Sequence, residues 1–388
     1  MILRRESDVR RAYVTERHHP STSSGTVPHM LRVTLAIAFL MQNATVPAQT
    51  SVMQSTAQRS TTLQKEPPAA ATDTQSSPPV SPPTSSLAIK WPRKVAEASE
   101  DIAGVVAKGT PIFKWSEGHN FTEGPACAID GTVWFVDIPA NEILRVDPNG
   151  AVAVTRKANA TFGLFVGADG SLYGAQASPG AITRIDPTSG EITVLCEKRT
   201  TDADGTGRTL GRLNDLVVGD NGIWFTAPVI GRKRAGMPPD AVYFVPATGG
   251  EAMEVVRDDK VRAPNGIALS PDGKTLYVVP YLTMDIMAYP IEGPGKLGAG
   301  KVLYTIPGGT RESIGGDGCT VDAKGNLYVA VPPRAAIFVL SPDGKPLGQI
   351  RFPERVSNCA LGGKDGKTLF VTATGGVYAI DLENARSR

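Results

Sequence analysis

Residues 265–280 read NGIALSPDGKTLYVVP, a nine-residue phrase from Asn265 to Gly273 that runs into a β-branched and aromatic stretch. The phrase recurs six times, as EGPACAIDG from Glu123, FGLFVGADG from Phe162, NDLVVGDNG from Asn214, NGIALSPDG from Asn265, DGCTVDAKG from Asp317 and NCALGGKDG from Asn358. Successive starts lie 39, 52, 51, 52 and 41 residues apart, and each phrase ends in glycine eight residues on. A period near fifty residues, written in short strands and tight turns, predicts a β-propeller.

Strand signals fill each period. After the terminal glycine come TVWFVD, SLYGAQ, GIWFTA, TLYVVP, NLYVAV and TLFVTA, and then EILRVDP, AITRIDP, AVYFVPA, IMAYPI, AIFVLSP and GVYAIDL. These runs have the residue types of strands, and Asp-Gly or Asn-Gly at the first junction favours a tight hairpin. A fourth strand lies in connections such as AVAVTRK, ITVLCEK and KVLYTI. The expected fold is therefore all-β, a six-bladed propeller of four-stranded antiparallel blades. The last repeat ends near Asp381 with no fourth strand left, so TPIFKW at 110–115 is expected to supply it and close the ring. Residues 93–105 read as a short helix or an extended approach to that strand.

The rest of the chain is leader and tether. Residues 1–29 carry five Arg against three acidic residues, and 30–48 hold the apolar run Val33–Met41 followed by Val46-Pro47-Ala48. That pattern fits a secretory signal cleaved near Gln49, and the run is too short to anchor in a bilayer. Residues 1–48 are thus read as leader, with the chain bound for the periplasm or secretion. Residues 49–92, rich in Ser, Thr, Pro and Gln, read as a disordered linker, and 93–388 as the working domain.

Composition narrows the chemistry. A net charge of +2, matching the excess in residues 1–29, implies no nucleic-acid partner. Of four histidines only His119 lies beyond the leader, which leaves the repeats without the means for a His-based zinc site or a Ser-His-Asp triad. Cys127, Cys196, Cys319 and Cys359 have no CxxC spacing and read as small core residues. GGKDGKT at 362–368 is one residue short of a phosphate loop and reads as a hairpin turn.

Position 0 of the phrase is different. In a propeller the inner strands begin around one mouth of the channel, so Glu123, Asn214, Asn265, Asp317 and Asn358 are expected to converge, with Phe162 as the apolar member. Carboxylates with amide carbonyls, and no His or thiolate, suit a hard divalent cation, Ca²⁺ before Mg²⁺. The competing reading of each residue alone is a strand-start turn former.

FTEGPACAIDG, GRLNDLVVGDNGIWFT, APNGIALSPDGKTLYV and GGDGCTVDAKGNLYVA, in that order, resemble the blade motifs of the senescence marker protein / gluconolactonase / luciferin-regenerating enzyme-like family over residues 110–388. The resemblance implies a six-bladed propeller that binds one divalent metal, Ca²⁺ first and Zn²⁺, Mn²⁺ or Mg²⁺ as alternatives, and hydrolyses sugar lactones. It implies Glu123, Asn265 and Asp317 as metal ligands, with Asp317 also transferring the proton. It places Asn214 beside metal and substrate, and Arg212 against the substrate; Asn358 matches no ligand. Where the family has FTDP this chain has Phe225-Thr226-Ala227-Pro228, and Gly316 stands for the usual Pro before Asp317. The expected function is a gluconolactonase-like hydrolase acting on a small sugar lactone or related ester. The carbonyl is polarised by the cation and water is activated by Asp317. Alternatives are a related esterase or organophosphate hydrolase, and a propeller that binds a ligand without turnover. The loops 198–211 and 228–240, the latter with Arg232, Lys233 and Arg234, are expected to set specificity. Asp202 and Asp204 stand too far short of a calcium-loop pattern to count as a second site.

Overall fold

A computed structural model describes residues 92–200, 208–231, 238–309 and 314–384. The leader, the signal and all of the linker but Pro92 lie outside the described residues, as do Asp202, Asp204, Arg232, Lys233 and Arg234.

Six antiparallel sheets form the ring. The first blade comprises Thr122–Cys127, Val133–Asp137, Glu142–Val146 and Val152–Lys157, and the second Thr161–Val166, Leu172–Ala177, Gly180–Ile185 and Ile192–Cys196. The third comprises Leu216–Gly219, Gly222–Ala227, Ala241–Pro246 and Met253–Val256, and the fourth Pro264–Leu269, Thr275–Pro280, Asp285–Gly293 and Lys301–Thr305. The fifth comprises Cys319–Val321, Leu327–Val331, Ala336–Leu340 and Pro346–Arg351. The sixth takes Val356–Gly362, Thr368–Ala373 and Gly376–Asp381 from the end of the chain and Pro111–Glu117 from its beginning. The closing strand pairs Ile112 with Ile380 and Lys114 with Tyr378. Arg93–Glu97 adds a further strand outside it, so the approach is extended, not helical. Among the described residues the one helical element is a 3-10 turn at Pro332–Arg334, and no helix is long and apolar enough to cross a membrane.

Burial follows position in the blade. Second strands such as Val133–Asp137, Gly222–Ala227 and Leu327–Val331 are buried at every residue, because neighbouring blades cover both of their faces. Outer strands such as Val152–Lys157 are almost wholly exposed. The near-continuous apolar runs thus mark the ring's core, and each fully buried Val, Leu, Ile or Phe adds about 1.5–3 kcal/mol. All four cysteines are buried and, among the described residues, none is in a disulfide, as core residues should be. Five of the phrase-ending glycines turn with φ between 66° and 91°. Gly222 serves otherwise: a Cβ there would lie 2.4 Å from the carbonyl oxygen of Val245.

Two clusters lock the closure. Lys114 Nζ lies 2.5 Å from Glu354 Oε1, and Glu354 also accepts from Tyr378 Oη and, at 2.7 Å, from Gly375 N. At the seam between closing strand and first blade, Ser116 Oγ lies 2.5 Å from His119 Nε2, with His119 Nδ1 3.8 Å from Asp137 Oδ2. These are the residue types of a nucleophilic triad, but Ser116 is only 2% exposed, and burial lowers the His119 pKa against the pull of Asp137. The trio is a clasp between the two ends of the ring.

Candidate active site

The inner strands meet around the axis through backbone contacts that leave no room for a Cβ. Gly266 N donates to the Asp317 carbonyl at 3.1 Å and Gly318 N to that of Ser357 at 2.9 Å. A Cβ on Gly266 would come 2.3 Å from the Asp317 carbonyl oxygen, and one on Gly318 would overlap the Asn358 side chain. Thr226 Oγ1 donates to the Asn265 carbonyl at 2.8 Å, and Ser357 Oγ to that of Thr122 at 2.7 Å. Blades three to four, four to five, five to six and six to one are thereby stitched at the ends that carry position 0.

Glu123, Asn214, Asn265, Asp317 and Asn358 are all buried there. Asn265 donates from its side chain to Asp317, and Asn358 from its side chain to Glu123. Glu123 Oε2 also accepts from Gly124 N at 3.0 Å. Glu123, Asn265, Asp317 and Asn358 thus form one interacting group. Asn214 holds its place through its backbone, donating to the Thr226 carbonyl at 2.9 Å. Arg212, two residues earlier, faces a neighbouring cavity of about 490 Å³ between the second and third blades.

Three further residues join the group. Asp215 is 6% exposed, and it accepts from Leu216 N at 2.9 Å and from Asn358 Nδ2 at 3.3 Å. The sequence carries a faint signal for it. The residue after position 0 is Gly in four phrases, and Asp215 is the one charged residue in that place. Arg355 bears on Asp317 electrostatically and donates from Nη2 to Tyr281 Oη at 3.2 Å. Neither Arg355 nor Tyr281 belongs to the phrase, so spacing alone does not find them.

The electrostatics are those of crowded, desolvated acids. Burial, then the charges of Asp317 and Asp215, pushes the Glu123 pKa well above the ordinary carboxylate range. Burial lifts Asp215 to about 7 against the hydrogen bonds from Leu216 and Asn358. Burial likewise lifts Asp317 to about 7, with Arg355 opposing and Asp215 reinforcing. Burial, then Asp317, raises Tyr281 to about 12. Among the described residues no cluster of three or more His, Cys, Asp and Glu is drawn together as a ready-made metal cage. The donor set here mixes carboxylates with amides, all hard oxygen ligands, and its acids share a small volume with one guanidinium near Asp317. A divalent cation fits that chemistry, since it would offset the burial that raises all three acids and the repulsion that adds to it at Glu123 and Asp317.

Residues 121–375 match the family described as SMP-30/Gluconolactonase/LRE-like region. A gluconolactonase of Zymomonas mobilis is 26% identical over 316 residues, covering 74% of this chain and 85% of the relative. The solved structure of the Xanthomonas campestris gluconolactonase XC5397 superposes with a TM-score of 0.62 at 26% identity, covering 75% of this chain and 95% of that one. A calcium-binding regucalcin of Agrobacterium tumefaciens shares the fold with a TM-score of 0.57 at 22% identity, covering 74% and 98%.

Proposed function

We propose that this chain, which belongs to the SMP-30/gluconolactonase/LRE-like family, is a lactone hydrolase that opens the ring of a sugar lactone. The observation that carries the proposal is the convergence of Glu123 and Asp317, both buried, with Asn265 bonded to Asp317 at the mouth of the ring. Glu123, Asn265, Asp317 and Asn214 would hold one divalent cation, Ca²⁺ before Zn²⁺, Mn²⁺ or Mg²⁺. Such a cation would polarise the lactone carbonyl and stabilise the charge that develops on its oxygen.

Asp317 does the proton work. Arg355 favours its ionised form, the form that accepts a proton, and a bound cation would favour it further. It takes a proton from water as the water oxygen bonds to the carbonyl carbon. It returns that proton to the ring oxygen as the ring C–O bond breaks. Arg212 and Asn214 bind and orient the sugar. Asn358 donates to both Glu123 and Asp215 and keeps the Glu123 carboxylate placed.

A panel of aldonolactones followed by pH-stat, with calcium and with chelator, tests the reading. Chelator-sensitive hydrolysis of at least one lactone is expected. A folded, calcium-loaded protein inert towards the whole panel would instead support a binding platform without turnover. Export to the periplasm or beyond, with cleavage near Gln49, is proposed from the apolar run and the Val46-Pro47-Ala48 site. Sequencing the mature N-terminus checks it.

A further inference from the structure

The cavity beside the site is lined by the ends of two blades: Ala177 to Gly180 from the second, Thr209 to Arg212 from the approach to the third, and Ala227 to Val229 from the third itself. Among the described residues on its wall, Arg212 is the one ionisable side chain. Nη2 of Arg212 is buried and has no hydrogen-bond partner, and burial alone lowers the Arg212 pKa, with no carboxylate opposing it. A guanidinium half out of water and without an acceptor is a costly arrangement for a folded chain to keep.

The blades themselves mark what is missing. The first blade reads Trp134-Phe135-Val136-Asp137 and the third Trp224-Phe225-Thr226-Ala227, each at the end of its second strand. Where the first blade has a buried aspartate, the third presents a methyl group to the cavity that Arg212 faces. The cavity wall also adjoins the reaction site along the sequence, since Asn214 follows Arg212 by two residues. Asn214 N bonds the Thr226 carbonyl, one residue from Ala227 and two from Arg212.

We infer that this cavity is an anion subsite, and that the preferred substrate is a lactone carrying a carboxylate or comparable compact oxyanion on its far end. A neutral hydroxyl would satisfy one N–H of Arg212 and leave its charge unmatched. A carboxylate matches that charge, in the two-pronged geometry that guanidinium favours. The inference rests on the lactone-hydrolase reading and narrows it to acidic sugar lactones. Ala227 is its specificity determinant, because an acid there would neutralise Arg212 from within.

The test compares D-glucaro-1,4-lactone with D-glucono-1,4-lactone, rings of equal size that differ in the terminal carboxylate, on the calcium-loaded protein and on Arg212→Gln and Ala227→Asp. The wild type is expected to favour the charged lactone about tenfold or more in kcat/KM, chiefly through KM. Both variants are expected to bring that ratio to about one or below. A wild-type ratio of one or less overturns the inference and leaves the hydrolase reading standing, as does a ratio unchanged in both variants. Should Arg212→Gln fail to fold, by circular dichroism, Ala227→Asp carries the comparison. If neither lactone is turned over, the hydrolase reading falls. Calorimetric titration with glucarate then decides the subsite: binding lost in the variants upholds it, and no binding to the wild type overturns it.

Discussion

Asn358 reaches across the channel from the sixth blade to the third, its Nδ2 lying 3.3 Å from Asp215 Oδ2. In a ring of six these blades stand opposite each other, so a single side chain spans the axis. Its Oδ1 is engaged by Cys359 N at 2.7 Å, which fixes the amide with its NH₂ towards the acids. The same group donates to Glu123. Asn358 is therefore a shared donor to two carboxylates, which explains a polar residue at a position that matches no ligand.

Asn358→Ala should cost about 1–3 kcal/mol in chemical denaturation of the metal-free protein, because two buried acids lose a donor. It should also weaken calcium binding by roughly tenfold, as groups that orient ligands generally do when removed. Calorimetry giving wild-type affinity would show that Glu123 keeps its place without it.

Asp317→Asn keeps the shape of the site and removes the base. Turnover of any accepted lactone should fall by about 10²–10⁴ with the fold intact, the usual contribution of a positioned proton-transfer group. Hydrolysis at the wild-type rate would exclude Asp317 from that role.

The raised carboxylates set a pH dependence. Asp215 and Asp317 titrate near 7 in the folded chain and near 4 when unfolded. Stability from their protonated forms is complete below about pH 4 and is lost as pH rises towards and through 7. A bound cation replaces those protons. Calcium should accordingly raise the Tm more at pH 8 than at pH 5, measured by scanning calorimetry against chelator. An equal shift at both values would mean that Asp317 is not a ligand.

The fold was legible because the hairpin glycines recur at fixed distances from the strands, and the missing fourth strand of the last repeat pointed to residues 110–115. The site was legible at position 0, where a phrase repeated sixfold exposes which residue varies. Asp215 was hidden in a column otherwise filled mostly by glycine. Arg355 and Tyr281 approach from blades six and four, outside the phrase, and the packing of blades around the axis brings Arg355 to Asp317 and to Tyr281. Likewise the Ser116, His119 and Asp137 clasp unites two sheets whose pairing depends on closure.

Closure itself gives the last prediction. Glu354 is partly buried, which by itself would raise its pKa, yet hydrogen bonds from Lys114, Tyr378 and Gly375 outweigh that and hold it below the ordinary range. Its contribution is present above the unfolded carboxylate pKa and fades as pH falls through the folded one. Lys114→Met removes the donor that belongs to the closing strand and leaves Glu354 with only its Tyr378 and Gly375 donors in a half-buried seam. With side-chain exposures of 11% and 27% for the pair, the cost is less than that of a wholly buried bridge, about 2 kcal/mol, or a fall in Tm of roughly 5 °C. The loss should appear at pH 7 and shrink below pH 4, where Glu354 is protonated in either protein. Hydrogen exchange should localise it to Pro111–Glu117 and Gly376–Asp381, the two strands paired at the seam. Loosening confined to other blades would mean that the ring is held shut by its apolar contacts and not by this pair.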